Sequence, residues 1–144
     1  MQRYIGSKIL FAMAMCRGDF VAYRYPDQQP NPDAGGLADE GYLVEYTDGG
    51  APNHPAHEGY ISWSPKDQFD AAYLLIENAE GLAPHEVRVV AEKAQLDDKI
   101  NKLSAFMGTN LYKGLPEKVK ELRTAQLGAM REYSGLLGEI IDLF

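Results

Sequence analysis

Cysteine is almost absent: Cys16 stands alone among 144 residues. No disulfide can therefore form within the chain, and a reducing compartment is expected. Long apolar runs are missing too. A membrane-spanning helix needs about 18 consecutive apolar residues, whereas the run Ile9 to Cys16 has eight. Arg3 and Lys8 ahead of it give the look of a short signal peptide. Against that, Met15 occupies the position where a lipoprotein signal carries a small residue, and no small-residue cleavage site follows. The expectation is a soluble chain with no leader and no membrane partner.

Cations are scarce in the first half. Residues 1–83 hold 5 basic and 12 acidic side chains, residues 84–144 hold 9 of each, and the whole chain carries −7. That excludes sequence-independent binding to duplex nucleic acid, which needs a basic face to release counterions. It leaves room for a small anionic ligand, for which a few local cations and backbone N–H groups suffice. Catalytic signatures are missing as well. Gly49-Gly50 runs into Ala51-Pro52 rather than into a phosphate-cradling helix start. Cys16 has no histidine signature beside it, and the carboxylates Asp39, Glu40, Glu45 and Asp48 show no acid–base spacing. His54-x-x-His57 with Glu58 lies in a proline-rich loop that supplies neither a helix to align ligands nor a cysteine, so no metal is expected. The chain reads as a binder without cofactor or catalytic residues, not as an enzyme.

What is present divides at Gly59–Asp67. Tyr60 to Trp63 alternates like a strand, while Ser64, Pro65 and Asp67 read as N-cap, first helical position and capping box of a helix. Before this point the pattern is β-rich. Tyr4 to Met15 places Ile5, Ile9, Phe11, Met13 and Met15 on one face at period two. Residues 17–25 suit either a short strand or a helical turn. Residues 26–40 carry the proline and glycine chemistry of a long loop. Gly41 to Tyr46 is the clearest strand, paired as a hairpin with Tyr60 to Trp63. The helix from Ser64, with Phe69, Ala72, Tyr73 and Ile76 on one side, covers this sheet, and Trp63 is expected to anchor it.

After this point the pattern is helical. Pro84 opens a helix along which Leu96, Ile100, Leu103 and Met107 form a coiled-coil-like seam ending at Gly108-Thr109-Asn110. Pro116 and Glu117 start a second, with Val119, Leu122, Gln126, Met130, Tyr133, Leu137, Ile140 and Phe144 along one stripe, widened by Leu136, Ile141 and Leu143. The expected fold is α+β: a small antiparallel sheet with one covering helix over residues 1–80, then an antiparallel two-helix hairpin over 84–144. Two helices alone cannot enclose these stripes, so the hairpin is expected to pack on the β part, on another copy of itself or on both, with self-association the favoured outcome. Gly128, Gly135 and Gly138 suggest close backbone approach there.

Nine tyrosines and one tryptophan offer stacking faces for bases, and scattered cations offer phosphate contacts. On that chemistry the candidate ligand-binding residues are Tyr42, Tyr46, Tyr60, Ser62, Lys66, Tyr112, Lys113, Lys118, Arg123 and Arg131. Any single tyrosine is better explained as core filling. A pocket in the first domain is expected to have its wall on the Tyr60 and Ser62 side of the strand.

Tyr4-Ile5-Gly6-Ser7-Lys8, Gly41 to Tyr46 with Asp48-Gly49-Gly50, and Gly59 to Lys66 followed by Phe69 and Ala72-Tyr73 resemble a small N-terminal domain recurrent in tailed-bacteriophage proteins. Between Cys16 and Asp39 the chain departs from that pattern, with Arg24-Tyr25-Pro26 where an Arg-Gly-Trp-like segment often stands. Lys99 to Phe144 is similar to a helical hairpin of phage proteins that counter the CBASS and Thoeris defences, on Ile100, Leu103, Phe106, Leu111, Tyr112, Leu115, Leu122, Gln126, Met130, Tyr133 and Leu137. The resemblance implies a sponge: a homo-oligomer, often a hexamer, in the cytoplasm of the infected bacterial host, holding a cyclic oligonucleotide or cyclic ADP-ribose-type signal without cleaving it. The alternative is a phage accessory adaptor that docks its hairpin on a host or virion protein.

Overall fold

The computed structural model describes residues 1–3, 5–28, 31 and 35–144, so Tyr4 and part of the long loop expected over 26–40 lie outside the described residues. The chain divides into two compact units, Met1–Tyr73 and Leu74–Phe144.

The first unit is a three-stranded antiparallel sheet in the order β1 (Phe11–Ala14), β2 (Gly41–Tyr46), β3 (Tyr60–Pro65), with helices α1 (Arg17–Arg24) and α2 (Lys66–Ala72). The register sets Met13 opposite Leu43 and Leu43 opposite Trp63, while Ala12 faces Val44 and Val44 faces Ser62. Cross-strand partners share a face. One face therefore carries Phe11, Met13, Leu43, Glu45, Ile61 and Trp63, and the other carries Ala12, Ala14, Tyr42, Val44, Tyr46, Tyr60, Ser62 and Ser64. Leu43, Val44 and Ile61 are the buried core of this unit.

Several expectations are corrected here. The first strand is four residues, not the span Tyr4 to Met15, and Ile5, Ile9, Phe11 and Met13 are exposed. Period two placed them on one face, but no element among the described residues covers that face at β1. Residues 17–25 resolve to helix α1, where the Cys16 thiol accepts a hydrogen bond from the Asp19 N–H as N-cap. Ser64 is not a helix cap. It still pairs with Tyr42, and the ladder continues as the Lys66 N–H donates to the Glu40 carbonyl at 3.0 Å, so α2 starts one turn position later with Pro65 as an N-cap lacking any side-chain bond. Helix α2 ends at Tyr73 in extended backbone, leaving Ile76 outside it.

Trp63 does not anchor the covering helix. Its indole N–H donates to the Met15 carbonyl at 2.9 Å and the Arg17 guanidinium lies over its ring, so it fixes the entry to α1 on the opposite face from α2. Gly41 makes this possible, because a Cβ there would sit 2.5 Å from the indole ring.

The second unit consists of α3 (Pro84–Met107), a single turn α4 (Asn110–Lys113) and α5 (Glu117–Ile141). Pro84 occupies the first turn, as expected from its fixed φ and missing N–H, and the Glu86 carboxylate accepts the Ala83 N–H at 2.7 Å. Thr109 caps α4 through the Tyr112 N–H, a turn that periodicity did not reveal.

Across the antiparallel α3–α5 contact a polar cluster replaces one apolar layer: Lys93 donates to Asp97 and to the Ser134 hydroxyl, each at 2.8 Å, and Ser134 in turn donates to Asp97. The Lys93 and Ser134 bonds hold the Asp97 carboxyl below its usual range. Buried Ser134 with its partners fixes the register of the two helices, since sliding either one would strand a desolvated hydroxyl.

The apolar stripe expected on α5 separates into two. Leu127 and Leu137 are buried beside half-buried Val119, Met130 and Ile141. Leu122, Tyr133, Leu136, Ile140 and Leu143 are exposed by 59%, 44%, 51%, 45% and 85%. With Gln126 and Ala129 the exposed set steps by alternate fours and threes, about a third of a turn around the helix from the first set. The expected stripe mixed members of both.

The close approach expected at the α5 glycines is not one made within the hairpin. A Cβ at Gly128 or Gly135 would meet nothing within 4 Å, and one at Gly138 would meet only the Lys93 side chain at 3.6 Å. Among the described residues no close approach requires them. Gly128→Ala and Gly135→Ala are each expected to raise the hairpin's unfolding free energy by about 1 kcal/mol, measured by denaturant titration of far-UV ellipticity; a loss of stability would show that another surface packs there.

Candidate functional site

The ten candidate ligand-binding residues divide equally between the units, and most are engaged. In the first unit the Lys66 ammonium lies 5.8 Å from the Tyr42 ring centroid and pairs with Asp70 at 2.7 Å, while the Tyr42 hydroxyl donates to the same carboxylate at 3.0 Å. Lys66 and Tyr42 thus hold Asp70 below its usual carboxyl range, and Asp70 raises Lys66. Phe69 stacks on Tyr42 with centroids 4.2 Å apart, and Tyr73 follows at 4.8 Å from Phe69. Burial and contact with Tyr46 raise the Tyr73 hydroxyl. Tyr46 carries the Lys8 ammonium 5.7 Å from its centroid, and Lys8 pairs with Asp48 at 3.0 Å.

The result is an aromatic ladder between sheet and α2 with a cation at each end. Both cations already have carboxylates, and each of the two tyrosine rings already has a partner. Tyr60 pairs with Tyr46 across β3 and is exposed, and Ser62 is half-buried opposite Val44. Those two remain open on the expected side.

One open pocket, of about 340 Å³, is lined by Asp39, Glu40, Pro65, Lys66 and Asp67, and another lies against the face of the sheet opposite Tyr60 and Ser62. Phe11, Ala12, Met13, Leu43, Glu45 and His57 line about 120 Å³ there, where the expectation had placed a wall at Tyr60 and Ser62. Beneath it runs a relay that sequence reading missed. The Glu45 carboxylate accepts the Gly59 N–H at 2.8 Å and pairs with His57 Nδ1 at 2.7 Å, and His57 Nε2 lies 2.9 Å from the Tyr23 hydroxyl. His54 stacks on Tyr23 at 4.3 Å. The His57 and Gly59 bonds hold Glu45 below the usual carboxyl range. The two histidines were visible as a pair, but their partners stand 34 and 12 positions from His57 in the chain.

In the second unit Tyr112 is buried, edge-on to Phe106, with its hydroxyl donating to the Lys120 carbonyl at 3.1 Å. It therefore builds the turn and offers no stacking face. Lys118 pairs with Glu121 at 3.4 Å. Arg123 and Arg131 bond only neutral oxygens, those of Gln126 and Ser104, at 2.8 and 3.3 Å. Lys113 and Lys99 have no partner among the described residues. The half of the hairpin nearest the turn, residues 96–129, holds six basic and four acidic side chains, whereas residues 84–95 and 130–144 hold three basic and five acidic. Net charge is thus +2 in the half toward the turn and −2 in the other, and the positive half suits a phosphate-bearing ligand.

Residues 83–141 match the Sequestin family model. The matched span is the α3–α5 hairpin, with its polar cluster, exposed seam and uncompensated cations. No curated protein and no solved structure matches the chain. No helix among the described residues is long and apolar enough to cross a membrane.

Proposed function

We propose that the protein is a phage-encoded anti-defence sponge, which assembles through its hairpin and sequesters a cyclic oligonucleotide or cyclic ADP-ribose-type immune signal in the infected bacterial cytoplasm without cleaving it. The observation that carries this reading is the Sequestin match over a hairpin whose α5 keeps a second, heptad-spaced apolar seam in the open. An exposed seam of that period suits another helix, and closed symmetry buries such seams on every copy. Lys113, Arg123 and Arg131 then supply phosphate contacts from each protomer, and repeated copies give the high site number that sequestration needs. The exposed ring of Tyr60 and the Ser62 hydroxyl are the first unit's contributions open to a ligand.

Calorimetric titration of the full chain with cyclic dinucleotides, cyclic trinucleotides and cyclic ADP-ribose isomers tests this. One of them is expected to bind at submicromolar Kd and to be recovered intact after heat denaturation of the protein. Absence of binding across the panel at micromolar protein, or recovery of a cleaved product, would overturn the proposal. Copurification of a stoichiometric host or virion protein with no bound nucleotide would favour the adaptor instead.

A further inference from the structure

The two outer edges of the sheet are treated differently. At β3 the Asn53 side chain closes the edge: its amide donates to the Ile61 carbonyl at 2.9 Å and its oxygen accepts the Ile61 N–H at 2.7 Å, as a neighbouring strand would. Pro65, without an N–H, ends the same strand. At β1 the described residues supply no such device. The Met15 N–H donates to the Gly41 carbonyl, so by the period of two Met13 and Phe11 also turn their backbone toward β2, and Ala12 and Ala14 turn theirs outward. Among the described residues no backbone bond closes that side. Natural sheets guard free edges with charge, proline or a bulge, and Phe11-Ala12-Met13-Ala14 has none of these.

Beside this open edge Phe11 and Met13 are 66% and 54% exposed, and they wall the pocket that reaches Glu45 and His57. The pocket is lined by apolar side chains, by His57 and by the Glu45 carboxylate, whose oxygens each accept one hydrogen bond and keep a lone pair, which suits the aliphatic stem and charged head of a lysine or arginine. Charge also selects the occupant. Met1–Tyr73 holds five basic and ten acidic residues, so a second copy of β1 would bring like charge alongside, whereas a basic segment is attracted.

We propose that β1 is a docking edge for an extended, basic segment of a protein partner, which adds a fourth strand through the outward backbone groups of Ala12 and Ala14 and lays one basic side chain over Phe11 and Met13 toward Glu45. In strand addition the main chain supplies affinity and the side-chain pocket supplies specificity. The proposal concerns the first unit alone and stands independently of the sponge reading of the hairpin.

Fluorescence polarisation of the full chain with labelled octapeptides tests it, comparing alternating Lys-Val with alternating Glu-Val and Ser-Val. The Lys-Val peptide is expected to bind saturably in the micromolar range and the other two at least about tenfold more weakly. Methylating the alternate amides of the Lys-Val peptide, which leaves the protein untouched, is expected to abolish binding. Ala12→Pro, which deletes one outward N–H and no ladder bond, is expected to weaken binding about tenfold with Trp63 fluorescence unchanged. Equal binding of the three peptides, or of the methylated one, would overturn the proposal. So would a fall in solution mass on Ala12→Pro without peptide binding, which would assign the edge to a second copy.

Discussion

If the proposed assembly forms, a Leu136→Lys, Ile140→Lys double variant is expected to run in solution as a folded protomer of 16.0 kDa and the parent chain as a closed oligomer. Both residues belong to the exposed seam of α5, at 51% and 45% exposure, so charge there costs the isolated hairpin little. In the assembly each lysine would meet apolar neighbours, and several copies of the lesion around a ring multiply the penalty. The neighbouring position gives the opposite result. Leu137 is only 4% exposed and packs toward α3, and Leu137→Ala is expected to cost the hairpin about 2–5 kcal/mol. Mass by light scattering and helicity by circular dichroism separate the two: the first variant loses mass and keeps helicity, the second loses helicity at lower denaturant. A double variant that retained the parent's mass would remove the seam from the assembly, and with it the structural support for sequestration between protomers.

Adjacent residues with opposite outcomes also mark the limit of reading the helices from sequence. The apolar positions of α5 were legible, but periodicity sums them into one broad stripe, because steps of three and four serve two neighbouring faces equally. Only the position of α3 assigns Leu127 and Leu137 to one face and Leu136 and Ile140 to the other. Helix boundaries set by local chemistry, such as Pro84 and Gly108, were readable; the start of α2 was not, since Ser64 and Pro65 satisfy cap rules and strand pairing alike, and pairing with Tyr42 and Gly41 decided it. The tyrosines show the same contest between local and tertiary meaning. As isolated rings they suit bases, yet the Tyr42 ring meets Phe69 and Lys66, and the Tyr46 ring meets Lys8 while its hydroxyl bonds Tyr73. Asn53, whose side chain closes a strand edge, and Tyr23, which completes a relay with His57, carry no local signal at all.

That relay yields the second large effect. Glu45→Ala is expected to destabilise the first unit by about 2–3 kcal/mol at neutral pH, since hydrogen bonds to a charged group are the stronger kind and both donors are left without it. The donors are the Gly59 N–H, whose residue is buried, and His57, whose other nitrogen holds Tyr23 of α1. A unit whose buried core is Leu43, Val44 and Ile61 has little reserve against such a loss. The sign of the pH dependence follows from Glu45 being held below its ordinary value of 4.5 by His57 and Gly59. A depressed carboxyl contributes its full stabilisation above the unfolded-state value and loses it as pH falls through the folded-state value. The stability gap between parent and Glu45→Ala is therefore expected to be widest near neutrality and to narrow below about pH 4.5. Trp63 is the chain's only tryptophan and lies in this unit, so urea titrations followed by its fluorescence report the gap directly. A gap that stayed constant from about pH 7 to pH 3 would mean that the ionised carboxylate is not what ties β2 to the loop and to α1.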